Sequence, residues 1–430
     1  MEKTVKKKAT KKTTKKKTTK KTENSIETSQ PVVNIGLVGH VDHGKTTLTE
    51  KLTGKWTDTH SEEQKKGITI RLGYANTVIY QCPKTNQYII SKTCEGKPST
   101  PIQKISFVDA PGHESLMATM LSGAAIMDGA ILLIAGDEIC PQPQTKEHIM
   151  ALEVLGIKNV IVIQNKIDLL TKEEAKSNYE SIKNFLKNTP YKDAPIIPIS
   201  AKYGINTEFV LKAIVENIPI PKRELKQDPL MFVARSFDIN KPGTSISKLN
   251  GGILGGAIKQ GTLKVGDEIE ILPGFPEEVN GKRIRIPITT KIVGMKTDKT
   301  DLNEATPGGS IAIQTTLDPA IVKSDQLSGN VVGIKGKLPE IREKIKLKTK
   351  LFSTIIGNNN EEIEVESLKM NEMLMINVYS AASVGIITNM KKDVVEMSLK
   401  IPVCAAIGAR VSLSRRIGSR FRLIGYGIIE

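Results

Sequence analysis

Cysteine and tryptophan are scarce in this chain of 430 residues, which holds four cysteines and one tryptophan. The cysteines are scattered and form no Cys-x-x-Cys pair. This usage predicts a protein of a reducing compartment without a disulfide framework, and we expect a cytoplasmic location. The cysteines are Cys82, Cys94, Cys140 and Cys404.

Long apolar runs and aromatic residues are also in short supply. No run approaches the roughly 20 residues that cross a membrane, and the amino terminus lacks the apolar segment of a signal peptide. We therefore expect no membrane partner. Aromatic residues make up 4% of the chain, too few to form an evident ladder for stacking on nucleic-acid bases.

Positive charge is abundant and unevenly distributed. The formal net charge is +16, and residues 1–31 hold eleven lysines against three glutamates. Such a Lys/Thr tract has almost nothing to bury, so we expect a disordered tail. It is either an electrostatic arm for ribosomal or transfer RNA or a solubilising tail, and the composition favours neither.

A phosphate-binding loop is predicted at residues 39–46. The apolar run 32–38 predicts a buried strand, and Gly39 and Gly44 permit a tight turn that points several N–H groups at phosphates. Lys45 then reaches the β- and γ-phosphates, and the Thr46 hydroxyl ligates magnesium at the start of the next helix. An ordinary glycine turn is the alternative, but Gly-x4-Gly-Lys-Thr after a strand favours nucleotide binding.

A guanine-recognition motif follows the phosphate loop by about 120 residues. In Asn165-Lys166-Ile-Asp168 the carboxylate of Asp168 can accept two hydrogen bonds from the guanine edge, while adenine offers no such pair of donors. The motif follows a predicted strand at 159–164, at the edge where open α/β sheets bind ligands. Residues Ser200, Ala201 and Lys202 are expected to close the site with a backbone amide toward the guanine oxygen. Without the phosphate loop, the four-residue motif would be as consistent with a solvated turn.

Two predicted switch segments lie between these motifs. The strand 104–109 ends in Asp109, which can hold magnesium through water, and Gly112 can offer its N–H to a γ-phosphate. His113 is placed to orient an attacking water, although a histidine in such a loop is more often a surface group. Upstream, Thr69 is a candidate second hydroxyl ligand of magnesium, or else an ordinary strand threonine.

The fold class follows from the change of pattern along the chain. Residues 32–221 alternate strands with helices and predict an α/β P-loop GTPase domain, with a mostly parallel sheet covered by helices on both faces. After a linker at 222–229, short strands and turns predict two β-barrel domains at 230–330 and 331–430. The glycine-rich run 251–257 lacks dinucleotide-binding spacing, so we assign it to barrel turns and bulges.

From residue 32 to 430 the chain resembles the gamma subunit of translation initiation factor 2 of archaea and eukaryotes. Elongation factor Tu shares the nucleotide motifs but lacks the segment 235–243 and this carboxyl end. The segments that carry the resemblance are 67–75, 109–121, 140–145, 235–243, 412–416 and 422–427.

The resemblance implies a ligand set, position by position. Magnesium would be surrounded by Asp42, Thr46, Gly67 through its carbonyl, Thr69 and, through water, Asp109. GTP or GDP would be held by Asp42, His43, Gly44, Lys45, Thr46, Thr47, Gly112, Asn165, Lys166, Asp168, Ser200, Ala201 and Lys202, with His113 in the catalytic role.

The chain departs from the family in one segment. Many members carry a four-cysteine zinc knuckle between the switches, whereas this chain has only Cys82 and Cys94 there. Because tetrahedral zinc needs four ligands, we predict no zinc and a plain loop.

The resemblance also implies a function. The chain would be the GTP-binding subunit of a heterotrimer with alpha and beta subunits, carrying methionylated initiator tRNA to the small ribosomal subunit. The 3′ end of the tRNA would dock between the GTPase domain and the first barrel. Hydrolysis would be slow without a GTPase-activating partner, and some relatives use a guanine-nucleotide exchange factor. An elongation-type carrier, general or selenocysteine-specific, and a GTPase that regulates a metabolic enzyme such as one of sulfate activation are the alternatives.

Arginines concentrate near the carboxyl end. They either contact phosphates of tRNA or ribosomal RNA, or they cover a solvated strand face. The residues are Arg410, Arg415, Arg416, Arg420 and Arg422.

Overall fold

The computed structural model describes residues 26–57, 69, 72–113, 116–279, 282–357, 361–418 and 420–430. Within these ranges the chain forms an α/β domain followed by two closed β-barrels, as the sequence predicted. No helix of the described residues is long and apolar enough to span a bilayer.

The α/β domain is built on a seven-stranded sheet of the described residues, in the order β3-β2-β6-β1-β7-β8-β9. Strands β1, β6, β7, β8 and β9 run parallel, while β2 and β3 extend the sheet antiparallel. Its strands are β1 Val33–Gly39, β2 Gly73–Gln81, β3 Tyr88–Ile89, β6 Thr100–Asp109, β7 Gly129–Ala135, β8 Val160–Asn165 and β9 Ile196–Pro198, with a separate hairpin of β4 Thr93–Cys94 and β5 Lys97–Pro98.

Helices cover both faces of this sheet, and every residue of the central strands β1, β7 and β8 is buried. Near-continuous apolar strands are what a parallel sheet covered on both faces requires. The helices are α1 Lys45–Thr53, α2 Met117–Ala124, α3 Pro143–Leu155, α4 Lys172–Leu186 and α5 Thr207–Asn217, with a 3₁₀ turn at Ile167–Leu169.

The first barrel closes through pairing of β13 with β14, in the order β13-β18-β10-β11-β17-β14. Its core is a separate apolar cluster that includes Val233, Ile269 and Ile313. The elements are β10 Leu230–Phe237, β11 Ile253–Gln260, β12 Leu263–Lys264, β13 Glu268–Val279, β14 Lys282–Thr297, β15 Thr300–Leu302, β16 Glu304–Ala305, β17 Ile311–Thr315, β18 Val331–Ile334, the short helix α6 Pro319–Val322 and 3₁₀ turns at Ile246–Lys248 and Lys323–Asp325.

The second barrel has the strand order β19-β24-β23-β22-β25-β26. Its strands are β19 Ile341–Leu351, β22 Met373–Val378, β23 Ala381–Lys391, β24 Val394–Cys404, β25 Arg410–Ile417 and β26 Arg420–Ile429, with a separate hairpin of β20 Thr354–Ile356 and β21 Glu362–Glu364.

The boundary predicted between the barrels at residue 330 is wrong. Strand β18, Val331–Ile334, pairs with β10 and β13 and so completes the first barrel, and the second barrel begins with β19 at Ile341. A strand-rich pattern does not reveal which barrel a strand joins, because that is decided by pairing between distant segments.

The predicted tail needs a correction at its carboxyl end, while residues 1–25 lie outside the described ranges. The Gln30 side chain donates to the carbonyl of Thr306 at 2.6 Å and accepts from its amide at 3.0 Å. The carboxylate of Glu27 accepts from the Tyr80 hydroxyl at 2.8 Å. Residues 26–31 therefore pack against the α/β domain and the first barrel instead of belonging to a disordered tail.

The cysteine prediction is wrong for one pair. Cys82 and Cys94 form a disulfide, with Cα atoms 5.6 Å apart, and the segment between them holds β3 and the start of the β4–β5 hairpin instead of a plain loop. The two cysteines are 12 residues apart in the sequence, and this spacing alone did not predict that they pair. Cys140 and Cys404 remain free thiols.

Candidate nucleotide-binding site

The loop between β1 and α1 depends on two glycines. Gly39 and Gly44 have φ angles of 144° and 91°, in the region that favours glycine. A Cβ on Gly44 would lie 2.4 Å from the side-chain nitrogen of Asn165, and one on Gly39 would lie 2.4 Å from the carbonyl oxygen of Leu133. Both positions therefore exclude larger residues, and the loop packs directly on the motif that begins at Asn165.

Lys45 folds back over this loop. Its ammonium donates to the carbonyl oxygens of Gly39 at 3.0 Å and His40 at 2.6 Å, and the side chain is nearly buried. A Cβ on Gly112 would lie 2.5 Å from the ammonium nitrogen and 2.8 Å from the carbonyl oxygen of Gly39, so a larger residue would clash with the loop backbone. Lys45 and Gly112 thus face each other across the same small space.

That space is a cavity of about 190 Å³ on the surface of the α/β domain. It joins residues from the phosphate loop and from both predicted switch segments, and the single tryptophan of the chain forms part of its wall. The lining residues are Val41, Asp42, Gly44, Lys45, Thr46, Thr47, Trp56, Thr69, Gly112 and His113.

Three predicted magnesium ligands converge beside this cavity. The Thr46 hydroxyl donates to Oδ2 of Asp109 at 2.9 Å and lies 3.4 Å from the Thr69 hydroxyl. Carboxylate and hydroxyl oxygens are the donors that magnesium prefers, so the residues present fit this ion. Asp42 lies exposed at the cavity rim with a φ of 61°, and Gly67 lies outside the described residues.

Asn165 joins the guanine motif to two neighbouring loops through hydrogen bonds. Its side-chain nitrogen donates to the carbonyl of His43 at 2.9 Å, and its oxygen accepts from the amide of Ala201 at 2.9 Å. This buried amide therefore ties the phosphate loop to the loop at 200–202. Of the amides in the loop 200–202 that we expected to approach the guanine oxygen, that of Ala201 is engaged by Asn165 in this structure.

Lys166 and Asp168 of the guanine motif lie nearer solvent than Asn165. Asp168 is exposed within the 3₁₀ turn, and the Lys166 ammonium lies 3.2 Å from Oδ2 of Asp137. Ser200 is fully buried, and the Lys202 ammonium lies 5.1 Å from the centre of the Tyr203 ring.

The His43 side chain packs beneath the phosphate loop. The imidazole is fully buried beneath the loop, with Nδ1 2.9 Å from the carbonyl of Leu133 and Nε2 3.3 Å from the carboxylate of Glu138. Burial lowers the pKa of His43. Its side chain does not line the cavity, so any contact with phosphate from this residue comes from its backbone.

Sequence reasoning missed His148, on α3. Its Nδ1 accepts the amide proton of Gly39 at 2.9 Å, and the ring is almost completely buried. Burial, with the positive charge of Lys45 adding to it, lowers the pKa of His148 to about 3. The ring is therefore neutral near pH 7 and can accept this bond. The segment Gln144–His148 was visible in the sequence, but nothing in it showed which way the ring points.

Comparison with known proteins decides the family. Residues 30–220 match the family described as Elongation factor Tu GTP binding domain, and residues 343–429 match Initiation factor eIF2 gamma, C terminal. Translation initiation factor 2 subunit gamma of Methanocaldococcus jannaschii is 55% identical over 94% of this chain and 98% of that protein. The chain belongs to the translation initiation factor 2 gamma-subunit family. The same protein of Pyrococcus horikoshii is 53% identical over 94% of this chain and 98% of its own length.

Solved structures of more distant proteins share the fold of this gamma-subunit chain. A bacterial selenocysteine-specific elongation factor EF-Sec has a TM-score of 0.71 at 24% identity, covering 93% of this chain and 58% of the other. Elongation factor SelB of Methanococcus maripaludis, solved with the GTP analogue GppNHp, has a TM-score of 0.69 at 24% identity and covers 93% and 78%. As a member of its family, this chain is a translational GTPase and binds GTP and GDP.

Several of the carboxyl-terminal arginines of this gamma-subunit chain hold the second barrel together or join it to the α/β domain. Arg422 is nearly buried and pairs with Glu147 of α3 at 2.6 Å. Arg410 donates to the carbonyl of Val154, at the end of α3, at 3.0 Å. Arg415 pairs with Glu372 inside the barrel at 2.5 Å. The sequence suggested RNA contacts or a solvated face for these three, and the structure gives them internal partners.

A second cavity, of about 450 Å³, lies between the α/β domain and the first barrel. Lys55, Tyr74 and Asn76 line one side, and Arg235 and Phe237 are among the residues on the other. Nε of Arg235 is held by Asp325 at 2.9 Å, and burial raises the pKa of Tyr74 far above its ordinary value. The resemblance implied that the 3′ end of a charged tRNA docks between these two domains, and this cavity lies between them.

Proposed function

We propose that this chain is the switch subunit of a heterotrimeric initiation factor. In the GTP state this subunit binds methionylated initiator tRNA and delivers the tRNA to the small ribosomal subunit. The factor is released after GTP hydrolysis. The observation that carries the proposal is identity of 55% along nearly the full length of a protein named translation initiation factor 2 subunit gamma. That name also supports alpha and beta subunits as partners and the cytoplasm as the place of action.

The cavity at the phosphate loop supports the nucleotide part of the proposal. Lys45 and the loop amides hold the phosphates, and Asp168 selects guanine at the far end. Magnesium would be held by Thr46 and Thr69 together with Asp42, Gly67 through its carbonyl and, through water, Asp109. When bound, it neutralises charge that develops on the phosphates during hydrolysis.

His113 is the residue we assign to the attacking water. It is exposed at the cavity wall, next to Gly112, the residue we expect to offer its N–H to a γ-phosphate. A histidine at this edge can hold a water in line without itself being a strong base. Because no arginine lines this cavity among the described residues, we expect slow hydrolysis alone and stimulation by a GTPase-activating partner, with a guanine-nucleotide exchange factor as a further candidate partner.

The cavity between the α/β domain and the first barrel supports the tRNA part. An aminoacyl end needs an apolar wall for the methionyl group and polar groups for the terminal nucleotide. Phe237 and Ile311 supply the apolar wall, and the polar groups are those of Lys55, Asn76 and Arg235. A site on a boundary between two domains is also one that a nucleotide-driven movement can open or close.

The test is equilibrium binding of the purified chain to charged initiator tRNA, with charged elongator methionine tRNA as competitor, in GTP and in GDP. We expect binding that prefers the initiator and is favoured by GTP. Equal binding of both tRNAs would point to an elongation-type carrier. Absence of binding in either nucleotide would contradict the proposal and favour a GTPase that regulates a metabolic enzyme.

A further inference from the structure

Asp109 is held by a residue that no motif singled out. Its carboxylate is fully buried, and its Oδ2 accepts hydrogen bonds from Thr46 at 2.9 Å and from Thr57 at 2.7 Å. Thr46 belongs to the phosphate loop, but Thr57 lies beyond the end of α1, just before the undescribed segment 58–68.

The sheet makes room for this contact. Gly73, the first residue of β2, is paired with Asp109 in the register of β2 against β6. A Cβ on Gly73 would lie 2.6 Å from the Cβ of Thr57, so a side chain there would push the threonine away from the carboxylate. Glycine at position 73 therefore leaves the space that the buried Thr57 side chain occupies.

We propose that Thr57 is a positioning residue that orients the Asp109 carboxylate toward magnesium. The inference rests on the magnesium site proposed above, which the oxygen donors of Thr46, Thr69 and Asp109 fit. Two hydroxyls on one oxygen fix the rotation of the carboxylate beside the proposed ion site. Thr46 would share its hydroxyl with the metal, whereas Thr57 serves the carboxylate alone.

Two substitutions separate this role from a structural one. Thr57→Val keeps the shape of the side chain and removes the hydroxyl, while Thr57→Ser keeps the hydroxyl. Thr315→Val is the matched control, because Thr315 is a buried threonine of the first barrel whose hydroxyl donates to the carbonyl of Gly252 at 2.8 Å.

The measurement is the rate of GDP release from the full chain as a function of Mg²⁺ concentration, with EDTA as the zero point. Fluorescence of Trp56, which lines the cavity, reports the same titration without any turnover. For Thr57→Val we expect the Mg²⁺ concentration at the midpoint to rise about tenfold or more, as for the loss of a hydrogen bond to a charged group. Release in EDTA should be unchanged, and Thr57→Ser and Thr315→Val should behave like wild type.

Three results would overturn the inference, and they are distinguishable. A wild-type Mg²⁺ midpoint in Thr57→Val would show that the hydroxyl does not act on the metal. A change in EDTA as large as the change in Mg²⁺ would show a structural role only. Release from the wild-type chain that ignores Mg²⁺ would remove the proposed magnesium site itself, and the inference with it.

Discussion

At the scale of single residues, His113 is the group whose side chain is assigned to the reaction itself. It is exposed at the wall of the phosphate cavity, so removing its ring leaves the phosphate loop and Lys45 in place. We predict that His113→Ala slows partner-stimulated hydrolysis by about 10²-fold or more, the loss expected when a reacting water is no longer held in line. GTP affinity should stay within about twofold of wild type, because the binding contacts are untouched. Single-turnover hydrolysis on the small ribosomal subunit measures the rate. A rate equal to that of wild type would show that His113 does not act on the attacking water.

Residue roles were predictable where a short motif carries its own chemistry. The phosphate-loop motif predicted that Lys45 and Thr46 lie together at the cavity, as they do, because the turn fixes their spacing from Gly39. Motifs did not reveal Thr57 or His148, since each acts through a contact made by distant parts of the chain. His43 shows the same limit, because a motif fixes the path of the backbone but not the direction of every side chain on it.

At the scale of elements, α3 links the nucleotide loop to the second barrel. Adjacent residues of this helix do the two tasks, since His148 accepts the amide proton of Gly39 and Glu147 pairs with Arg422. A rigid helix held at both contacts ties the position of the barrel to the shape of the loop. The sequence predicted neither contact, because α3 carries a mixed pattern of buried residues that faces two domains.

The buried imidazole on α3 leads to a pH prediction. Folding lowers the pKa of His148 from 6.5 to about 3, so between these values the unfolded chain binds a proton that the folded chain does not. This histidine therefore contributes a loss of stability as pH falls from 6.5 toward 3. His148→Asn keeps an acceptor for Gly39 without titrating, so its urea midpoint should fall less between pH 7 and pH 5 than that of wild type. An equal fall of the urea midpoint in the variant and in wild type between pH 7 and pH 5 would contradict this prediction.

At the scale of the whole molecule, the sequence predicted three folded domains and their classes. Alternating strand and helix patterns marked the α/β domain, and the shift to short strands marked the barrels. The end of the first barrel was misplaced because Val331–Ile334 joins β10 and β13 across about 60 to 100 residues. Likewise, residues 26–31 look like tail by composition and are fixed only by contacts with two domains.

The central claim is that the nucleotide at this site controls tRNA binding, and one measurement tests it directly. Xanthine carries a carbonyl where guanine carries its exocyclic amine, so an amide at position 168 should prefer it. We predict that Asp168→Asn loses its preference for guanine and binds charged initiator tRNA with xanthosine triphosphate, but not with GTP at the same concentration. The wild-type chain should show the reverse. Retained preference for GTP over ATP would defeat the role of Asp168, and tRNA binding that ignores which nucleotide is bound would contradict the account as a whole.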